Sequence, residues 1–295
     1  MIRLRYIPIA LLCAGLQVVS LHGERPADVN TRLQEWERGV LVQSVRHPDM
    51  KMYLWFYEWH MFGALRPDQH TRGNWTNRVS VASDGRSATV INGNPGIKLE
   101  LQAVTDGAEM QLTVTNLSEH DWPELAALIA CFNPGPEKTR NRQFANTKTW
   151  FPGPDGLASL AMKYSREIHF NSALRTAVDA AADADGKYVW SAKWPKSSVD
   201  AVAGLIMRES SDSKWVTGVA WDRFLSCQGH NPWECMHLST RVGPLKRGQS
   251  RELRGHIYLL PGNKEDLLEA WQDDFQEAAD GAGPMGQEGA GDSGA

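Results

Sequence analysis

From Arg78 onward apolar and polar residues alternate with a period of two, the pattern of half-buried strands. Ile97, Leu99, Leu101 and Ala103 share one face against Lys98, Glu100 and Gln102. After Asp106-Gly107 the pattern resumes with Met110, Leu112 and Val114 against Gln111, Thr113 and Thr115. This predicts an amphipathic hairpin. Asp84-Gly85 likewise separates Val79 and Val81 from Ala88 and Val90, and further turn signals stand within 92–96, at Asp155-Gly156 and at Asp185-Gly186. Strands are expected again over 126–132, 188–194, 202–208, 214–222 and 251–260. Strand follows strand without an intervening helix, which excludes a parallel βαβ fold.

Helical spacing is confined to the ends. Asp28 is placed to cap a short helix carrying Val29, Leu33 and Trp36, and Asn263 precedes a longer one with Leu267, Leu268, Trp271 and Phe275 on one face. The Ala- and Asp-rich stretch 173–186 reads as either a helix or a long loop. The expected fold is mainly β: one large antiparallel β-sandwich of about a dozen strands with short flanking helices near both termini.

Arg3 and Arg5 precede an apolar run from Tyr6 to Val19, with small or neutral residues following to Gly23. The run is shorter than the roughly 20 residues that span a bilayer, so 1–23 reads as a secretory signal peptide. A single sandwich domain over 24–280 and a disordered Gly/Ala-rich tail over 281–295 complete the expected organisation. The mature chain is then exported, periplasmic or extracellular, with no membrane segment.

Composition changes this picture in two ways. The 295 residues carry 31 Lys and Arg against 35 Asp and Glu, a formal charge of -4, which leaves no basic stripe for a nucleic acid. There are also 12 Trp, more than the 8 Phe or the 6 Tyr, an excess that a generic core does not need. Spacing assigns Trp36 and Trp271 to helix faces, Trp215 and Trp221 to one strand face and Trp55 to a central strand. Trp59, Trp75, Trp150, Trp194 and Trp233 remain as a candidate ligand surface. Aromatic rings beside hydrogen-bonding side chains suit a saccharide, whose C–H faces stack while its hydroxyls need polar partners.

The chain contains no Gly-x-Ser-x-Gly, no phosphate-cradling glycine loop and no His-Glu-x-x-His. Three segments carry candidate chemistry instead. Residues 53–62 read as a central strand, with Leu54, Phe56, Glu58, His60 and Phe62 on one face and Tyr53, Trp55, Tyr57, Trp59 and Met61 on the other. Glu58 and His60, roughly 6.5 to 7 Å apart at Cα, are either an acid–base pair flanking a substrate group or an ion-paired carboxylate beside a backbone-bonded imidazole. Asp222, at the end of the strand over 214–222, either bonds sugar hydroxyls or caps the next turn or pairs with Arg223.

The third segment runs from Cys227 through His230, Trp233, Glu234 and Cys235 to His237. A Cys227–Cys235 disulfide suits an exported chain, and three reduced thiols, with Cys131, are the alternative. Zinc bound by Cys227, His230, Cys235 and His237 is a weaker reading because the spacing is unfamiliar. A rim loop presenting His230, Trp233 and His237 to a ligand is compatible with the disulfide. Along 251–260, Leu253, Ile257 and Leu259 face one side. Glu252, Arg254, His256 and Tyr258 face the other, which is either solvated or part of a groove.

Asp106-Gly107, the run Met110-Gln-Leu-Thr-Val-Thr-Asn116 and Trp122 together resemble the sheet segment of galactose-mutarotase-like supersandwich proteins. Cys235-Met-His237, the run from Pro244 to Gly248 and the run from Arg254 to Leu259 are similar to a closing segment of exported bacterial proteins associated with carbohydrates. The resemblance implies a supersandwich whose partner is a saccharide or polysaccharide, and mutarotase-like enzymes use a histidine acid and a carboxylate base. Three functions follow. The first is carbohydrate binding through Trp stacking and a polar cluster of Glu58, His60, Asp222 and His237, with Trp59, Arg223, His230, Trp233 and Glu234 around it. The second is a mutarotase-, lyase- or hydrolase-like enzyme using a carboxylate and a histidine from the same set. The third is a structural cell-envelope protein. Binding ranks first, because no catalytic constellation is legible.

Overall fold

The computed structural model describes residues 29–37, 39–58, 77–93, 96–135, 140–144, 148–160, 167–181, 195–229 and 234–281, apart from the side chains of 56–58 and 276–281. In chain order the strands are β1 (Thr31–Trp36), β2 (Gly39–Ser44), β3 (Lys51–Glu58), β4 (Arg78–Val81), β5 (Ser87–Asn92), β6 (Ile97–Val104), β7 (Gly107–Thr115) and β8 (Ala127–Asn133). They continue with β9 (Thr149–Gly153), β10 (Gly156–Ser159), β11 (His169–Phe170), β12 (Leu205–Glu209), β13 (Trp215–Trp221), β14 (Phe224–Gln228), β15 (Met236–Arg241) and β16 (Ser250–Pro261). Two helices accompany them, α1 (Arg175–Ala180) and α2 (Lys264–Gly281). The strands form a 7-stranded sheet in the order β1-β2-β3-β8-β15-β14-β11 and a 9-stranded sheet in the order β10-β9-β12-β13-β16-β7-β6-β5-β4. Every strand pairing within these sheets is antiparallel, as expected of a β-sandwich.

The hairpin predicted over 97–115 forms in register, with Ile97 opposite Val114, Leu99 opposite Leu112 and Leu101 opposite Met110. These apolar residues are buried between the sheets, and they meet Leu54, Phe132, Cys227 and Leu238 from the facing sheet. The 12-residue β16 lies between β7 and β13. Its Leu253, Ile257 and Leu259 point into the same core. Tyr258 points the other way, beneath α2, with Leu205, Met207, Val216, Ala220 and Leu267. On the outer face of the 7-stranded sheet, Leu174 and Val178 cover Ile129, Phe170 and Leu225.

The start of α2 is built as its sequence predicts. Asn263 Oδ1 accepts hydrogen bonds from the Glu265 and Asp266 N–H groups at 2.8 and 3.3 Å, and Asp266 Oδ2 accepts from the Asn263 N–H at 2.8 Å. This reciprocal capping box satisfies donors that a helix otherwise leaves open.

The N-terminal end departs from expectation. Instead of a helix through Leu33 and Trp36, the chain forms β1, every residue of which pairs with β2. Leu33 is buried by the period-two placement that it shares with Thr31, and this ladder outweighs a helical spacing supported by only three residues. Of the ambiguous stretch 173–186, the described part holds the end of a 3-10 turn over Ser172–Leu174 and the short helix α1. The signal peptide over 1–23, the Asp28 cap, the turn at Asp185-Gly186, the strand over 188–194 and all but the first residue of the 281–295 tail lie outside the described residues. Among those described, no helix is long and apolar enough to cross a membrane.

One glycine is dictated by a close approach. Gly107 has φ 149°, and a Cβ placed there meets the Ile257 carbonyl oxygen of β16 at 1.7 Å. Gly107→Ala is therefore expected to destabilise the fold by about 3 kcal/mol in urea unfolding. Gly93→Ala, where an added Cβ meets nothing within 4 Å, is expected to change stability by less than ~0.5 kcal/mol. Equal effects at the two positions would contradict this account of the β7–β16 contact.

Candidate functional site

Two separate polar sets lie at different places in the sandwich. The first is made by the pairing of β13 with β16, which puts Trp221 opposite Gly255 and so brings Asp222 beside Arg254 at one sheet end. The Asp222 N–H donates to the Arg254 carbonyl at 2.9 Å, and the Arg254 N–H donates to Asp222 Oδ2 at 3.1 Å. The Arg254 guanidinium lies over the Phe275 ring, 4.6 Å from its centroid, and donates through Nη2 to the Asp274 carbonyl at 2.7 Å. Between this sheet end and α2 opens a cavity of about 490 Å³ whose lining includes Asp222, Phe224, Arg254, Trp271, Gln272 and Phe275.

Trp271 and Phe275, one turn apart on α2, stack with ring centroids 5.9 Å apart. The indole N–H of Trp271 is buried and meets no acceptor among the described residues. Burial pushes the Asp222 carboxyl above its usual range, outweighing the backbone N–H bonds and positive charges of Arg254 and Arg223 that act in the opposite direction. The cavity thus combines aromatic side chains with a carboxyl, a guanidinium and an amide.

α2, which forms one wall, is held by a charged clasp. His256 Nδ1 lies 3.2 Å from Asp274 Oδ2 on the helix, and its Nε2 lies 3.7 Å from Asp106 Oδ1 in the β6–β7 turn. The Tyr258 hydroxyl donates to the same Asp274 oxygen at 2.6 Å, and the two rings stack at 4.1 Å. Burial opposes a charge on His256, but the hydrogen bonds and charges of Asp106 and Asp274 prevail and raise its pKa to about 9. Asp274 is correspondingly lowered: burial acts to raise it, and His256 and Tyr258 overcome that. The face of β16 expected to be solvated or a groove is therefore closed by α2 at His256 and Tyr258, which are 7% and 0% exposed.

The second set lies on the 7-stranded sheet. Strand register aligns Trp55, Cys131, His237 and Gln228 in one lateral row across β3, β8, β15 and β14. The Cys131 and Cys235 sulfurs and a His237 ring nitrogen all lie within 4.8 Å of one another, and all three residues are buried. His237 Nδ1 lies 3.1 Å from Gln228 Oε1. An amide oxygen only accepts, so Nδ1 carries the proton and Nε2 bears the lone pair. Burial pushes the Cys131 thiol well above its usual range, and Cys235 pushes it further, while His237 acts in the opposite sense.

Arg208 reaches this set from β12. It donates through Nε to Thr149 Oγ1 at 2.8 Å and through Nη1 to the Glu234 carbonyl at 2.7 Å. Burial lowers its pKa to about 10, against the raising influence of Glu234, Cys235 and Cys131. The Glu234 carboxylate faces Arg140 at 3.5 Å and Arg142 at 3.8 Å.

These positions correct several expectations. Cys227 is opposite Leu238 and points into the inter-sheet core, whereas Cys235 falls with His237 on the other side, so no disulfide joins them. The same parity removes Cys227 from any metal site with Cys235 and His237. Asp222 and His237 do not share a site, because Asp222 precedes β14 while His237 pairs with its last residue, a strand length of about 13 Å. Asp222 caps the Arg254 N–H, and Arg223 turns away to donate to the Gly243 carbonyl at 3.0 Å. Glu234 is engaged by arginines. The β3 register shifts between Trp55 and Glu58, which breaks the strict alternation used to place Glu58, and Glu58 pairs through its backbone with Ile129. The Glu58 side chain and Trp59, His60, Trp75, Trp194, His230 and Trp233 lie outside the described residues. Trp150 packs in the α2 cluster, with Lys264 Nζ 4.8 Å from its ring centroid.

Arg254, Trp271, Gln272 and Phe275 were not foreseen as site residues. Their signals are the polar face of 251–260, which carries Arg254 and reads equally as solvated, and the Trp271/Phe275 spacing, which reads equally as helix packing.

Neither a protein-family model nor a curated protein matches the sequence. Among solved structures the chain is similar to a putative aldose 1-epimerase from Escherichia coli K12, with TM-score 0.37 and 8% identity over 78% of this chain and 99% of that one. It is also similar to a galactose mutarotase related enzyme from Lactobacillus acidophilus, with TM-score 0.35 and 9% identity over 79% of this chain and 98% of that one. A third is an α-N-acetylgalactosaminidase from Bifidobacterium bifidum in complex with GalNAc, with TM-score 0.43 and 10% identity over 84% of this chain and 38% of that one. Galactose-mutarotase-like proteins thus stand among the structures that resemble this chain. Similarity at this level assigns no activity and no site residue to it.

The clasp makes stability depend on pH. The folded pKa of His256, about 9, lies above the unfolded value of 6.5. Its contribution is therefore fully present below 6.5 and lost as pH rises through 9. The His256 and Asp274 shifts describe one interaction and are counted once. Between about pH 6 and pH 10 the unfolding free energy should fall by an amount on the order of 3 kcal/mol more in the wild-type chain than in His256→Asn, as measured by urea titration. Parallel pH profiles for the two proteins would refute the clasp.

Proposed function

We propose that the protein is an exported saccharide-binding β-sandwich whose ligand occupies the cavity between α2 and the 9-stranded sheet. One observation carries this reading: the cavity places the stacked Trp271 and Phe275 beside Asp222, Arg254 and Gln272 in one concave space of about 490 Å³. A pyranose stacks its C–H face on aromatic rings and directs its hydroxyls to charged and amide groups in the plane around it. The volume falls within the roughly 300–1,000 Å³ usual for small-molecule sites. Export is proposed from Arg3, Arg5 and the apolar run that follows them.

Binding is favoured over hydrolysis. Two carboxyl groups about 5 to 10 Å apart are needed for glycoside cleavage, and Asp222 is the single carboxylate lining the cavity among the described residues. The raised carboxyl of Asp222 suits a group that is donor or acceptor according to the hydroxyl it meets.

Calorimetric titration with a panel of mono- and disaccharides tests the reading. Trp271→Ala and Asp222→Asn should each weaken the detected interaction by at least ~10-fold, or about 1.4 kcal/mol, and Asp222→Asn should do so with a urea midpoint close to wild type. Saturable saccharide binding that survives both substitutions unchanged would place the site elsewhere, and no binding across the panel would remove the function.

A further inference from the structure

We infer that Cys131, Cys235 and His237 bind a soft, thiophilic metal ion through two sulfurs and one imidazole nitrogen. The inference does not rest on the saccharide reading, whose residues lie beyond the opposite end of β14.

Strand pairing builds the triad. Cys131 of β8 lies directly opposite His237 of β15, and Cys235 is displaced by two residues from His237. Cys235 immediately precedes β15, and continued strand spacing would make it a diagonal neighbour of Cys131, about 7 to 8 Å away at Cα. A disulfide requires less than about 7 Å without backbone movement. A metal ion bridges the longer separation. Around an ion with sulfur ligands at about 2.3 Å, tetrahedral geometry sets the sulfurs about 3.8 Å apart. The three ligand atoms already lie within 4.8 Å of one another, so side-chain rotation of about an ångström completes the set.

The surrounding groups are those of a ligand sphere. His237 Nδ1 lies 3.1 Å from Gln228 Oε1, which holds the ring in place, and Asn133 Nδ2 donates to Cys131 Sγ at 3.4 Å. Two thiolates and a neutral imidazole leave a net charge of minus one on bound Cu(I) and zero on bound Zn(II). The buried Arg208 guanidinium interacts electrostatically with both cysteines. Sulfur-rich ligation selects Cu(I) and Zn(II) over magnesium or calcium. Each ion bound displaces two thiol protons to solvent with no change in sulfur oxidation state. Affinity should therefore rise by up to about 100-fold per pH unit while both thiols are protonated.

The reduced full chain, handled without oxygen, should be titrated with Cu(I) and with Zn(II) against chromophoric chelators. One equivalent of at least one ion is expected, with X-ray absorption of the loaded wild-type protein showing two sulfurs and one nitrogen in the first shell. Cys131→Ser and Cys235→Ser should each weaken binding at least ~100-fold, while Cys227→Ser, altered in the inter-sheet core, leaves it unchanged. Failure of both ions to bind stoichiometrically would overturn the site. So would a first shell lacking sulfur, a reading that needs no variant to fold. Undiminished binding in both the Cys131 and Cys235 variants would do the same.

Discussion

The 9-stranded sheet is organised by the fact that β16 is buried on both faces from Gly255 to Leu259. Toward the facing sheet this is simple, because Leu253, Ile257 and Leu259 meet other apolar side chains. Toward the outside it is not. An imidazole and a phenol withdrawn from water without partners cost a few kcal/mol, and His256 and Tyr258 occupy that face. Asp274 of α2 partners both side chains, and Asp106 of the β6–β7 turn adds a negative charge 3.7 Å from the imidazole. The need to satisfy two polar groups, together with the apolar contacts of Leu267, fixes where α2 lies. That position sets Trp271 and Phe275 over the sheet end occupied by Asp222 and Arg254, and the cavity is the space left between them.

The same constraint explains which parts of the fold the sequence discloses. The β6–β7 hairpin is legible because one of its faces is exposed, so its apolar residues alternate with charged ones. Gly39–Ser44 is buried along nearly its whole length and shows no alternation, which leaves nothing for periodicity to detect. Glu252, Arg254, His256 and Tyr258 present the opposite difficulty. A polar residue at every second position reads the same whether it meets water or an aspartate brought by a helix farther along the chain.

Site chemistry was less legible than fold for a related reason. Proximity in sequence drew Cys227, His230, Cys235 and His237 together, yet strand parity sends Cys227 into the core, and the thiol beside Cys235 comes from β8. Asp222 stands at a strand end, as its sequence position suggests, but Arg254 becomes its neighbour only through the β13–β16 register. Both pairings depend on which strands lie side by side, and a single sequence does not state that. Trp271 was assigned to helix packing, which holds for its place in the α2 cluster and misses that its ring also borders open space.

Because α2 is at once a packed helix and a wall of the cavity, occupancy and helix docking are linked equilibria. A ligand that touches Trp271 and Arg254 together binds only the docked state, so it adds its free energy to the closure of the helix on the sheet. Conversely, the protonation state of His256 enters the observed affinity through the fraction of molecules in which the wall is in place. On the proposed reading, α2 is a thermodynamic coupling element, one that joins solvent pH to ligand capture without a titrating group in the cavity having to change.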